Sequence, residues 1–258
     1  MKKSINNFSV LAITTATITA ISLVSLNPII YSQTIPKNWS NTSTYKPPQN
    51  IGRPINTTPG GVRGGEIVDV IPVVPEIEKQ YFGVTVQPYP TFLVYIPKLN
   101  SNLKYAQFSL KDQEDKEIYK SYFILNTSHQ IISISLPNEA GLIPLEIGQD
   151  YQWNLSLFTD PVDTTTLKMI GSGLIRRVEP SLQLKYQQPL ARTFDKQARI
   201  NQARLYAESG IWYDSVAMLA QLYREYPRDL EIEQDWETLL QSAKLNHLIG
   251  KQFVFSSK

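Results

Sequence analysis

Only two histidines, His129 and His247, are available as imidazole bases, and neither has a serine or carboxylate at motif spacing. His129 falls in the polar turn Asn126-Thr127-Ser128-His129 and His247 near a helix end, where a histidine is ordinarily a surface residue. Gly171-Ser172-Gly173 places a serine between glycines but lacks the strand–elbow–helix setting that activates a nucleophile. Asp112, Glu114, Asp115 and Glu117 crowd four carboxylates together. A calcium loop needs alternate acids, a central glycine and a distal glutamate, so these four read as a solvated hairpin tip. Gly60-Gly61-Val62-Arg63-Gly64-Gly65 has the composition of a phosphate loop. No strand leads into it, no Lys-Ser/Thr follows and no helix opens after it, so it reads as a hinge. With no cysteine anywhere, a thiol nucleophile, a zinc ribbon, a cysteine-ligated cluster and a disulfide framework are all excluded. No catalytic, cofactor-binding or metal-binding residue is assigned, and the reading is of a protein that is not an enzyme.

Binding chemistry is better represented. Tyr81, Phe82, Tyr89, Tyr95, Tyr119, Tyr122, Tyr151 and Trp153 are enough aromatics for a sugar platform. Alternating aromatics in a sandwich are more often core, because their buried area dominates. Tyr81 and Tyr89 flank a proline-bearing loop and are expected to be the exposed ones. Arg176-Arg177 closes a strand, one arginine pairing with a carboxylate and the other facing solvent. With Trp212, these residues (Tyr81, Tyr89, Arg176, Arg177) are the candidate ligand or partner contacts.

The elements that carry them begin late in the chain. Residues 1–65 hold six of the 25 basic residues and none of the 23 acidic ones, leaving 19 basic against 23 acidic over residues 66–258. The folded part is therefore mildly acidic and ill suited to a phosphate backbone, so nucleic acid is not an expected partner. Lys2 and Lys3 precede the uncharged run Phe8–Leu26, the pattern of an export signal ending near Ser32. Seven of those 19 residues are hydroxylic, which lowers the run's apolarity below that of a comfortable membrane anchor. Membrane contact is expected only through this segment, if it stays uncleaved. Residues 33–65 contain five Pro, five Gly and eleven Ser/Thr/Asn, a composition that reads as a disordered tether.

From residue 66 to 180 the apolar period is two. Thr91–Ile96 reads as a central strand between Pro90 and Pro97; Ala106/Phe108/Leu110, Ile118–Leu125, Ile132/Ile134/Leu136 and Tyr151/Trp153/Leu155/Leu157 supply others. Short strands with turn-rich spacers and no helical insert predict an antiparallel sandwich. After an extended stretch at Gln183–Pro189, the period over residues 190–250 becomes 3.6. Helices are predicted at Phe194–Ser209, capped by Thr193, at Ile211–Tyr226, stopped by Pro227, and from Asp229 to Gly250.

Three resemblances sharpen this. Leu145–Trp153 resembles the L-x-x-G-x-x-Y-x-W run of immunoglobulin-like and fibronectin-like domains, implying an immunoglobulin-like β-sandwich whose aromatics plug the core. Ala203, Tyr206, Gly210, Trp212, Leu219 and Pro227 fall at tetratricopeptide spacings, departing at Ser215 and Arg199. Such a unit cannot bury its face alone and must dock on something. The order Gly60–Gly65, Pro90–Pro97, Pro144–Leu157, Asp160-Pro161, Gly173–Glu179 and Ala203–Leu222 resembles a cyanobacterial family known as a domain of unknown function, DUF928. Its most specific parts are Pro90-Thr91-Phe92 and Gly210-Ile211-Trp212-Tyr213-Asp214. Members often carry a Cys where this chain has Glu66 and another where it has Thr159, so any bridge the family implies is absent here.

The sequence thus predicts an α+β protein: a β-sandwich followed by a short tetratricopeptide-like helical segment. It is expected to be exported to the periplasm or cell envelope, to need no cofactor and to associate with a protein partner. Carbohydrate binding through exposed aromatics is the alternative. A reporter fused behind Met1–Leu26 should be exported, and Lys2→Glu with Lys3→Glu should cut that export severalfold, measured by fractionation.

Overall fold

Alternating apolar residues build the sheets, each strand turning one face inward. The computed structural model describes residues 42–48, 70–97, 103–125, 130–139, 141–160, 169–187 and 195–254, all within the unit Ser40–Lys258. The leader, the Gly60–Gly65 run, Glu66 and His129 lie outside the described residues. The strands are β1 (Ile71–Pro72), β2 (Glu76–Ile77), β3 (Gln80–Thr85), β4 (Thr91–Ile96), β5 (Tyr105–Lys111), β6 (Glu117–Ile124), β7 (Gln130–Ser135), β8 (Asp150–Phe158), β9 (Met169–Arg177) and β10 (Gln252–Val254). The helices are α1 (Leu182–Gln187), α2 (Lys196–Glu208), α3 (Trp212–Glu225) and α4 (Leu230–Ser242), followed by a 3-10 turn at Asn246–Leu248. The content is α+β.

One sheet runs β1-β4-β7-β10 and the other β2-β3-β9-β8-β5-β6. In the second sheet Phe108 and Leu110 on β5 stand opposite Leu155 and Trp153 on β8, and all four are buried. Phe92 on β4 meets Phe108 at 5.0 Å and Trp153 at 5.7 Å between ring centroids, so the sheets face each other across aromatic rings. The fully antiparallel expectation does not hold. β3 pairs with β9 in parallel, and β10 pairs with β7 in parallel. β10 arrives from the far side of the helices and satisfies backbone groups that β7 would otherwise leave open.

Side-chain caps decide where the helices begin. Asp195 accepts the N–H groups of Gln197 and Ala198, so α2 opens at Lys196 rather than Phe194. Asp229 accepts those of Glu231 and Ile232 and starts α4 where expected; such caps contribute about 1 kcal/mol each. Gly250 does not end α4, which stops at Ser242; at φ +74° it turns the chain into β10 instead. The stretch read as extended at 183–189 forms α1 over Leu182–Gln187, where the Leu184 N–H donates to Ser181 Oγ.

Part of the expected tether is ordered packing. The Ser43 N–H donates to Asp235 Oδ1 (2.7 Å), the Tyr45 N–H to Ser242 Oγ (2.9 Å) and the Lys46 N–H to the Ala207 carbonyl (3.1 Å). The Tyr45 ring stands edge-on to Trp212 at 4.9 Å. Composition hides this strap because it holds on with one aromatic ring and its backbone. Gly210 makes room for it: a Cβ there would sit 2.8 Å from the Lys46 carbonyl oxygen. Asp235 in turn accepts the single Arg204 Nε–H, shared between its two oxygens, and both side chains are buried.

α3 packs against β3 of one sheet and β4 of the other, and Trp236 on α4 meets Phe253 of β10 at 4.7 Å. The helices therefore dock on the sheets. Trp236→Ala should destabilise the whole described unit, sheets included, in a single urea transition, by about 3–5 kcal/mol as for other buried indoles. Separate transitions for sheet and helix would contradict this interlocking.

Candidate functional site at the sheet–helix junction

The first turn of α3 places three consecutive side chains into the β layer. Trp212 Nε1 donates to the Val73 carbonyl at 2.8 Å. Trp153 Nε1 donates to the Tyr213 hydroxyl at 2.8 Å, and that hydroxyl donates onward to the Leu174 carbonyl at 3.1 Å. Asp214 Oδ2 accepts from Thr85 Oγ1 at 2.6 Å and from the Val86 N–H at 3.3 Å. β3 and β9 admit these large groups because they carry glycine where they do. A Cβ on Gly83 would stand 3.0 Å from the Tyr213 ring, and one on Gly173 would stand 2.7 Å from the Trp153 indole. The glycines beside Ser172 thus clear space for a tryptophan rather than form an elbow for a nucleophile.

Burial sets the electrostatics. It pushes the Tyr213 phenol far above its ordinary range. It also pushes the Asp214 carboxyl up to about 6, against the opposing pull of the Thr85 hydroxyl, the Gln87 side chain and the Val86 N–H. A cavity of about 220 Å³ opens beside Asp214, lined among others by Thr85, Gln87, Tyr89, Tyr206 and Gln221. One carboxylate among hydroxyl and amide groups can bind and orient a small molecule. A larger cleft of about 510 Å³ runs from the β5–β6 turn to residues 141–151 and carries Asp112, Glu114, Glu117 and Glu146. Among the described residues no group of three or more His, Cys, Asp or Glu is placed to hold a metal ion. No helix among them is long and apolar enough to cross a membrane.

The DUF928 profile, a Domain of Unknown Function, matches residues 58–253. The chain belongs to this family. No curated protein matches it. A solved structure, "Crystal structure of putative beta-galactosidase from bacteroides fragilis", is 12% identical over 34% of this chain and 13% of that one, with a TM-score of 0.23. A likeness of that size carries no argument. The two runs on which the DUF928 resemblance chiefly rests converge at this junction. Pro90 and Thr91 line the same cavity as Asp214, and the Phe92 and Tyr213 rings lie 5.5 Å apart.

The five candidate contacts are scattered in this DUF928 chain. Trp212 is fully buried, so its ring faces the interior and not a partner; its N–H has a carbonyl to satisfy and its ring has Tyr45. Arg176 pairs with Asp150, its Nη2 donating to Oδ2 at 2.8 Å, and lies over the Phe82 ring. Arg177 does not face solvent alone: its Nη1 donates to the Leu145 carbonyl at 2.6 Å and its Nε to that of Val86 at 3.4 Å. Tyr81 and Tyr89 are half-buried against the core, and the Tyr89 hydroxyl donates to the Leu142 carbonyl. Of the five, only Tyr89 reaches the cavity. Asp214 and Thr85, the pair that joins helix to sheet, are not among those candidate contacts, and Asp214 enters only as the end of the family-like Gly210–Asp214 run. They lie 129 positions apart, and an aspartate in the first turn of a helix reads as ordinary helix chemistry.

Because the folded state holds the Asp214 proton more tightly than an unfolded chain does, stability should fall as pH rises from about 4 through about 6. Asp235, also raised by burial, adds in the same direction. Asp214→Asn keeps an oxygen for Thr85 and Val86 but cannot ionise. Urea unfolding at pH 7.5 should find this variant more stable than the parent by up to about 3 kcal/mol, with little difference near pH 4. Parallel stability–pH curves would contradict the assignment.

Proposed function

We propose that this chain is an exported, non-enzymatic protein that acts by protein–protein association in the periplasm or cell envelope. In this reading the two facing sheets are an immunoglobulin-like sandwich, and α2 with α3 is a tetratricopeptide-like pair braced against it. The buried Trp153 plug supports the first. The second is supported by the close packing of α2 on α3, where Ser215 Oγ donates to the Ala203 carbonyl. Export rests on the composition of Met1–Leu26.

The observation that carries association is the β6 edge. α3 faces the sheets and Tyr45 covers Trp212, so the helical segment has already committed its main apolar surfaces. β6 pairs with β5 on one side and is an outermost strand of its sheet among the described residues. It presents Tyr122 at 59% and Ile124 at 62% exposure. An eight-residue edge with aromatic side chains is suited to strand addition. The strand it fits best is its own. An antiparallel pairing of two copies centred on Ser121 sets Lys120 opposite Tyr122 on the outer face and Tyr119 opposite Phe123 on the inner one. Such pairs stabilise by about 0.2–1 kcal/mol each. Tyr81 and Tyr89 offer the carbohydrate alternative little open ring surface.

Sedimentation of the full chain should therefore find a dimer at tens of micromolar, and Tyr122→Lys, which sets lysines against lysines, should return it to monomer with its fold intact. A parent chain that is monomeric under those conditions would overturn pairing through β6.

A further inference from the structure

The cavity beside Asp214 has a chemistry that strand pairing does not use. We propose that it binds a compact amine, with Asp214 receiving the primary ammonium group. Asp214 is 6% exposed, and its second oxygen, Oδ1, has no hydrogen-bond partner. Among the described residues that line the cavity, from β3, the β3–β4 connection, β4, α2 and α3, none is charged apart from Asp214. On β9, Arg177 sits in register with Thr85 but is engaged by the Leu145 and Val86 carbonyls, and Arg176 is paired with Asp150. The site therefore holds one negative charge without a counter-ion.

A buried carboxylate is stabilised by a cation that also donates hydrogen bonds, and an ammonium group does both. Its three N–H groups need acceptors, which Asp214 Oδ1 and the side-chain oxygens of Gln87 and Gln221 can supply. Tyr89 and Tyr206 also line the cavity, and aromatic rings favour a nearby cation. Gln87 is exposed and lies against the carboxylate, so it is the side chain that must yield as the amine enters. At about 220 Å³ the cavity is smaller than sites for drug-sized ligands, and a second acidic group on the ligand would meet like charge. A small monoamine fits both limits.

Two isosteric pairs separate charge from shape: n-butylamine against n-butanol, and glucosamine against glucose. Ligand-observed NMR with the full chain at pH 7, where the carboxyl is mainly ionised and both amines are mainly protonated, should give saturable binding of both amines and at least tenfold weaker binding of both alcohols. Amine binding should weaken at least fivefold at pH 5, where the carboxyl holds its proton. Asp214→Asn should lose it. Gln221→Lys should block it by placing a tethered ammonium at the mouth, and near-UV circular dichroism checks that each variant is folded. Glucose binding as well as glucosamine would show hydroxyl recognition and overturn the proposal. So would amine binding that Asp214→Asn and Gln221→Lys leave unchanged, or no amine binding up to about 10 mM, where even millimolar affinity would register. Dimerisation through β6 can fail or succeed independently of all these outcomes.

Discussion

The Tyr213 hydroxyl accepts from the Trp153 indole and donates to the Leu174 carbonyl, and the organisation of the molecule depends on this relay. A phenol has one proton to give and lone pairs to receive with, so a single oxygen on α3 bonds to groups on two paired strands at once. Trp153 lies in the middle of β8, Leu174 on β9 and Tyr213 on α3. Removing the phenol oxygen would leave the buried indole N–H without its acceptor, at a cost of about 1–3 kcal/mol. The helix is thus bound to the sheets by hydrogen bonds between buried polar groups as well as by apolar area.

That relay fixes the depth of α3, and depth fixes the remaining contacts. With Tyr213 seated, Trp212 reaches the Val73 carbonyl on one side and Asp214 reaches Thr85 on the other. Gly83 and Gly173 are the matching concessions of the sheet, since any side chain at either would push the aromatic rings outward. The strap then closes over Trp212, and β10 ties the far end of the helices back to β7. Each contact presupposes the previous one. These contacts join the helical segment and the sheets in one packed unit although their sequence periods differ.

Asp214 belongs to this frame and yet is strained by it. Docking α3 requires the carboxylate to leave water for the Thr85 hydroxyl, and desolvation then raises its proton affinity. One oxygen repays the burial with hydrogen bonds; the other does not. A group kept charged in such a setting when a neutral asparagine could make the same contacts to Thr85 is what directs attention to the neighbouring cavity.

Much of the architecture was legible in the residues themselves. Apolar alternation gave the faces of β4, β5 and β8, because a half-buried strand must repeat every two residues. Asp229 and Pro227 bounded α4 and α3 because caps and ring constraints act within a few residues. Tertiary structure alone decided the parallel pairing of β3 and β10, the order of strands, the seating of residues 42–48 and the burial of Trp212. These depend on which distant backbone groups remain open after local structure has formed, and no local pattern encodes that. The candidate site divides along the same line. Tyr89 and Trp212 stood out by type and Tyr213-Asp214 only within the family-like run, but the cavity exists only because loop closure over more than a hundred residues brings Thr85 to Asp214. Sequence determined which side chains could do chemistry; three-dimensional proximity decided which of them share a site.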